Sequence, residues 1–217
     1  MKKIAIILSG CGVYDGSEIH ESVLTLLAIE QQGATYRCFA PNINQHHVIN
    51  HLTGEVNASE TRNVLVESAR IARGDIEDIV ELYQEEFDAL IFPGGFGAAK
   101  NLCTFALDAE NYQINPEVLA AAQSFIKADK PLGFMCIAPA MIPLVFGEDA
   151  QGTIGKDRDI AESLMNRGLA HVDCDVDDII VDEKRKLVST PAYMLATSLV
   201  EAASGINKLV KKVISLS

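Results

Sequence analysis

Three short stretches carry residue types that can do covalent chemistry. In Pro131-Leu-Gly-Phe-Met-Cys-Ile-Ala-Pro-Ala-Met141 an apolar run, Leu132 to Met135, leads straight into Cys136. The run suits a strand buried on both faces, and Pro139 stands where the first turn of a helix accepts proline. Strand, sharp turn, helix, with a cysteine at the bend, is the pattern of a nucleophile elbow with cysteine in the serine's place. Free N–H groups and the positive end of a helix dipole would stabilise a thiolate there, so the expected titration lies well below the ~8.5 of a free thiol. A free cysteine at a strand end is also commonly a small buried hydrophobe. The residues alone leave both readings open.

The second stretch is Gly94-Gly95-Phe96-Gly97, which comes after the apolar run Ala89 to Phe92. Glycines after a buried strand expose backbone N–H groups at its carboxyl end. They make either an oxyanion site or simply a tight turn. The third is His20-Glu21, at the start of the first helical pattern. From there Glu21 can reach a cysteine on the same sheet edge, with a carboxyl pKa raised by burial and a proton shared with the thiol. An acid in a first helical turn equally complements the macrodipole. The only histidine after Cys136 is His171, with Val172-Asp173 next to it. The His-x-Glu pair of cysteine amidotransferases is therefore missing.

The elements that must position these residues alternate along the chain. Lys3 to Leu8 is a continuous apolar run, expected as a strand rather than the start of a signal peptide. Glu18 to Gln32 has helical spacing and is closed by Gly33, and Thr35 to Ala40 is a second strand. Helices are expected over 61–72, 76–86 and, from the Asn115-Pro116 start, 116–129. After Cys136 come a short helix interrupted by Pro143, a short strand at 152–155 and a helix over 159–167. Next are a charged hairpin over 178–190 and helices over 192–204 and 206–214, separated by Gly205. This predicts an α/β, doubly wound, mostly parallel sheet with helices on both faces and an edge β-hairpin, as one domain over 1–217. Ligands of such sheets sit outside the carboxyl ends of the strands, where all three stretches fall.

Other signals are weaker. Gly10-x-Gly12 lacks the third glycine of a dinucleotide fingerprint, since Asp15 stands in its place. His46, His47 and His51 lie within six residues, but no cysteine or ordered carboxylate spacing accompanies them, so a solvated loop is expected and no metal. Five scattered cysteines argue against a disulfide framework and for a reducing cytoplasm. A net charge of −12 argues against nucleic acid, and no apolar run is long enough to span a membrane.

Taken together, Glu21, Phe92-Pro93-Gly94-Gly95, the Cys136 elbow and Ser189-Thr190-Pro191 resemble, in that order, the ThiJ/PfpI superfamily. Its members are relatives of class I glutamine amidotransferases that lack the glutaminase triad. Ser9 to Glu21, Pro93 to Asn101 and Gly133 to Met141 are similar to its ElbB branch over the whole chain. That resemblance implies a flavodoxin-like sandwich, a homodimer, and a catalytic Cys136–Glu21 pair, with His20 expected to help Glu21 move a proton. It also implies Gly94, Gly95 and Ile137 as oxyanion donors, and a cofactor-free glyoxalase acting on a small glyoxal-like aldehyde, with a link to isoprenoid biosynthesis. Ile137 stands where the superfamily's peptidases have histidine, which puts a protease in doubt. The rival expectation is a redox or stress-response protein, or a regulatory binding protein, with Cys136 as an oxidation sensor.

Overall fold

The computed structural model describes residues 1–217. Its centre is a seven-stranded sheet of β1 (Lys3–Ile7), β2 (Thr35–Ala40), β3 (Ile76–Asp78), β4 (Ala89–Phe92), β5 (Leu132–Met135), β8 (Ile180–Asp182) and β9 (Leu187–Thr190). The order is β3-β2-β1-β4-β5-β9-β8, and only the β8–β9 pair is antiparallel. The hairpin expected over 178–190 is thus present at the edge of the sheet. Two further strands, β6 (Ala150–Gly152) and β7 (Leu169–His171), form a separate parallel pair. The helices are α1 (Ile19–Gln31), α2 (Val64–Ile71), α3 (Pro116–Lys127), α4 (Ile142–Phe146), α5 (Arg158–Met165) and α6 (Leu199–Leu216).

β4 and β5 are buried along their whole length, as their unbroken apolar sequences require, and β9 is buried as well although it ends in Ser189-Thr190. Helix starts obey their caps. Asn115 accepts from the N–H groups of Glu117 and Val118, with Pro116 at the first helical position. Ser198 caps α6 and Asp157 caps α5 in the same way. At α1 the capping side chain is Glu18, which accepts from the Glu21 N–H at 2.7 Å and so fixes the turn that carries Glu21.

Two expected helices change form. Residues 76–86 are not a helix but the edge strand β3 and then two short 3₁₀ turns, Ile79–Glu81 and Gln84–Glu86. Ile76 pairs with Cys38 on the open side of β2, and that ladder outweighs a helical spacing of so few turns. Nor does Gly205 separate two helices. Residues 192–194 make one 3₁₀ turn, and α6 then runs unbroken through Gly205. A Cβ there would lie 2.6 Å from Thr190 Oγ1 and 2.7 Å from the Val176 carbonyl. Glycine sits mid-helix because α6 packs directly on the end of β9.

Candidate active site

The site assembles where β4 and β5 end beneath the start of α1. Cys136 comes directly after β5, donates its backbone N–H to the Thr190 carbonyl at 3.1 Å, and has φ of +59°. A non-glycine residue in that left-handed region is uncommon and costs energy, and such outliers gather at functional bends. The elbow is therefore real backbone geometry.

Glu21 enters from the inward face of the first turn of α1 and is wholly buried. Its Oε2 accepts the Gly94 N–H at 3.0 Å and its Oε1 accepts the Tyr193 N–H at 3.0 Å. The Gly94 backbone brings carboxylate and thiol together. A Cβ on Gly94 would sit 2.4 Å from Cys136 Cβ, 2.5 Å from Glu21 Oε2 and 2.9 Å from Cys136 Sγ. Carboxylate oxygen and sulfur both crowd one point, and only a residue without a side chain leaves it open. Gly94→Ala should accordingly force the pair apart. Overpacking costs ~1–3 kcal/mol, so its thermal unfolding midpoint should drop by several degrees. A Gly94→Ala protein as stable as the wild type would mean the three groups are less tightly packed than this.

Gly95 fills a different need. Its φ of +93° is a conformation for glycine, and a Cβ would meet the Glu18 N–H nitrogen at 2.3 Å and the Gly16 carbonyl at 2.4 Å. The turn is pressed against the loop before α1, where Glu18 N–H donates to Gly94 O and Gly97 N–H to Gly16 O. The Gly95 and Ile137 N–H groups have no oxygen acceptor and are turned toward the Cys136 sulfur. That is the arrangement of an oxyanion hole at the thiol.

Burial pushes the Glu21 carboxyl up to about 7, with the charge of Glu18 adding to it and the N–H groups of Tyr193 and Gly94 opposing it. The Cys136 thiol also moves up, well above its ordinary value. Burial is the main cause and the neighbouring Glu21 charge the next, against the lowering pull of the Gly95 and Ile137 N–H groups. The depressed thiol expected from an elbow at a helix N-terminus is thus corrected. After Cys136 the chain makes a 3₁₀ turn, Ala138–Met141, and only then the five-residue α4, so little helix dipole is available. Beside an ionised Glu21 the sulfur holds its proton.

Two other expectations shift. Gly94 is no free oxyanion donor, because its N–H is already given to Glu21. His20 is not brought to the thiol. Its side chain is half exposed and its Nδ1 lies 3.0 Å from the Tyr193 hydroxyl, with no hydrogen bond to Glu21 or Cys136. Tyr193, which the sequence did not single out, holds Glu21 through its backbone N–H. The preceding Ala192 has φ of +44°, and no residue-type signal marks that turn. The His171 side chain is buried, accepts the Ile154 N–H at 3.3 Å and makes no bond to Cys136.

The remaining candidates have structural partners. Asp15, which interrupts the glycine fingerprint, is buried, accepts the Ile49 N–H at 2.7 Å and lies 3.8 Å from His51 Nε2. The segment with the three histidines turns back on itself near Thr53-Gly54, with Ile49 bridged to Val56, and these histidines do not join cysteines or carboxylates into a metal-ligating group. All five cysteines are free.

No protein-family model matches the chain. Over 224 residues it is 43% identical to the human glutamine amidotransferase-like class 1 domain-containing protein 3, mitochondrial, covering 99% of this chain and 83% of that protein. The chain belongs to the glutamine amidotransferase-like class 1 family. An isoprenoid biosynthesis protein with amidotransferase-like domain from Ehrlichia chaffeensis superposes on it with a TM-score of 0.93 at 38% identity, covering 100% of this chain and 99% of that one. A ThiJ/PfpI domain protein from Brachyspira murdochii shares the fold, at a TM-score of 0.60 and 15% identity over 100% of this chain and 98% of that one. In this member of the glutamine amidotransferase-like family the thiol is paired with a buried carboxylate and with no histidine. No helix is long and apolar enough to cross a membrane.

Proposed function

We propose that the chain is a cofactor-free, glutathione-independent glyoxalase of the lyase class that converts glyoxal to glycolate on Cys136. The observation that carries the reading is the close approach of the Cys136 thiol and the buried Glu21 carboxyl, which lie within hydrogen-bonding reach and both flank the place where a Cβ on Gly94 would stand. Cys136 is only 8% exposed, which favours a very small electrophile.

The ionised Glu21 takes the thiol proton as sulfur adds to one aldehyde carbon, and the proton passes to the carbonyl oxygen to give a hemithioacetal. The Gly95 and Ile137 N–H groups hold that oxygen while it is negative. Glu21 then removes the C–H proton of the same carbon and returns it to the second carbon, leaving a hydroxyacetyl thioester. Water cleaves the thioester to glycolate and restores the thiol. One molecule of water is consumed, and oxidation of one carbon balances reduction of the other. A carboxyl that titrates near 7 suits both taking and giving a proton at neutral pH.

The name of the Ehrlichia protein supports a role beside isoprenoid biosynthesis. Five free cysteines suit a reducing compartment such as the cytoplasm, and a homodimer completes the reading. One observation favours a second function. A protonated Glu21 and the same two N–H groups offer three hydrogen bonds to a sulfinate, so Cys136 can also serve as an oxidation sensor. Incubation with ¹³C-glyoxal, without glutathione, separates the two. Glycolate in the NMR spectrum supports the enzyme. No glycolate, with Cys136 oxidised at low peroxide, replaces it with the sensor.

A further inference from the structure

The connection between β2 and α2, residues 41 to 63, is far longer than the about 2–6 residues usual in such folds, and long ordered loops of that kind are usually functional. It is pinned by buried polar side chains. Asn101 Oδ1 accepts the His46 N–H at 2.9 Å, while its Nδ2 donates to the Ser9 and Asp15 carbonyls. Asp15 accepts the Ile49 N–H, and His51 Nε2 accepts the Tyr14 N–H at 3.2 Å. So held, this connection walls a cleft of about 430 Å³ lined by Tyr14, Ile49, Gly54, Phe96 and Lys100.

The chemistry of that wall is specific. Tyr14 and Phe96 are exposed aromatic residues, at 41% and 44%. Lys100, on a single π-helical turn of the kind often found at functional sites, lies 5.2 Å from the Phe96 ring centroid. Its ammonium donates to the Tyr14 carbonyl at 3.0 Å and forms no ion pair, which leaves two donors free. Lys130 is also partly buried without an acidic partner, but its ammonium is given to two carbonyls, those of Gln84 and Phe87, whereas that of Lys100 is given to one. The nearest acid, Asp15, already accepts the Ile49 N–H and forms no ion pair with Lys100. Burial lowers the Lys100 pKa, in keeping with an ammonium that lacks a counter-ion.

We propose that this cleft is a binding site for a small organic anion, a carboxylate or phosphate paired by Lys100, whose flat apolar body lies against Tyr14, Phe96 and Ile49. It is separate from the thiol chemistry, although Phe96 comes directly after the Gly94-Gly95 turn. An anion already on such a body gains both from the charge-assisted hydrogen bonds and from ring contact.

Calorimetric titration of the full chain with phenyl phosphate, benzoate and inorganic phosphate tests it. Saturable binding of phenyl phosphate or benzoate, with inorganic phosphate much weaker, is expected, and the tighter of the two aryl probes identifies the anion. Lys100→Met should weaken the bound probe about tenfold or more, Lys100→Arg should largely keep it, and Cys136→Ala should leave it unchanged. Tyr14→Ala, which spares the charge, should also weaken it. No saturable binding of either aryl probe overturns the proposal. So does binding that survives both Lys100→Met and Tyr14→Ala.

Discussion

Cys136→Ala should make no glycolate from glyoxal above the uncatalysed background. Sulfur forms the bond that ties the aldehyde down, and the reaction has no second nucleophile to take its place. The expected fall in kcat/KM is about 10⁴-fold or more, as for other nucleophiles removed from a covalent mechanism. The fold should survive, because the only atom lost is the sulfur and the Cβ and backbone of the elbow are kept. Circular dichroism and a thermal melt check that point. A folded Cys136→Ala protein that still turned over glyoxal would move the chemistry away from the thiol.

Glu21→Gln should separate two properties that the carboxylate couples. As the only group positioned to move protons at the thiol, Glu21 is expected to contribute about 10²–10⁴-fold to turnover. The same substitution removes a negative charge that now raises the thiol's pKa. Turnover should thus fall while the midpoint for alkylation of Cys136 by iodoacetamide moves to lower pH. Glutamine offers one acceptor where Gly94 and Tyr193 both donate, so a loss of ~1–3 kcal/mol in stability is expected as well. A variant with unchanged turnover and an unchanged alkylation midpoint would show that the carboxylate and thiol do not act together.

The pH dependence has a definite sign. The folded Glu21 pKa of about 7 lies above the ordinary 4.5, so between those values the folded chain binds more protons than the unfolded one. Stability from this group is therefore fully present at acid pH and is lost as pH rises through about 7. Activity runs the other way, since base catalysis needs the ionised form. The kcat/KM profile should rise through about 7, and Glu21→Gln should flatten both that limb and the stability slope.

Much of the fold and site is legible in the residues because several signals agree on each element. Leu132 to Cys136 combines an apolar strand, a bend residue and a downstream proline, and the strand and elbow are both present. Gly94-Gly95 can be placed at the strand end from its sequence, but the division of labour between the two glycines cannot. It depends on where Glu21 and the loop at Gly16 approach in space. The same holds for Tyr193, which contributes a backbone N–H rather than a side chain, and backbone groups carry no residue code. His20 illustrates the opposite error. It is next to Glu21 in sequence, yet one residue along a helix turns the side chain by about 100°, and that puts it outside with the Tyr193 hydroxyl. Residues 76–86 and Gly205 depart from their sequence patterns for one reason. In both, a neighbouring strand or helix decides the outcome against a local pattern of a few residues.

The covalent step can be observed directly. Protein mixed with glyoxal, quenched in acid at successive times and digested, should show one glyoxal-mass adduct on the peptide bearing Cys136. It should appear before glycolate accumulates and disappear as glyoxal is exhausted, in step with a thioester intermediate. Glycolate production with Cys136 unmodified throughout, or with adducts confined to surface lysines and arginines, would contradict it.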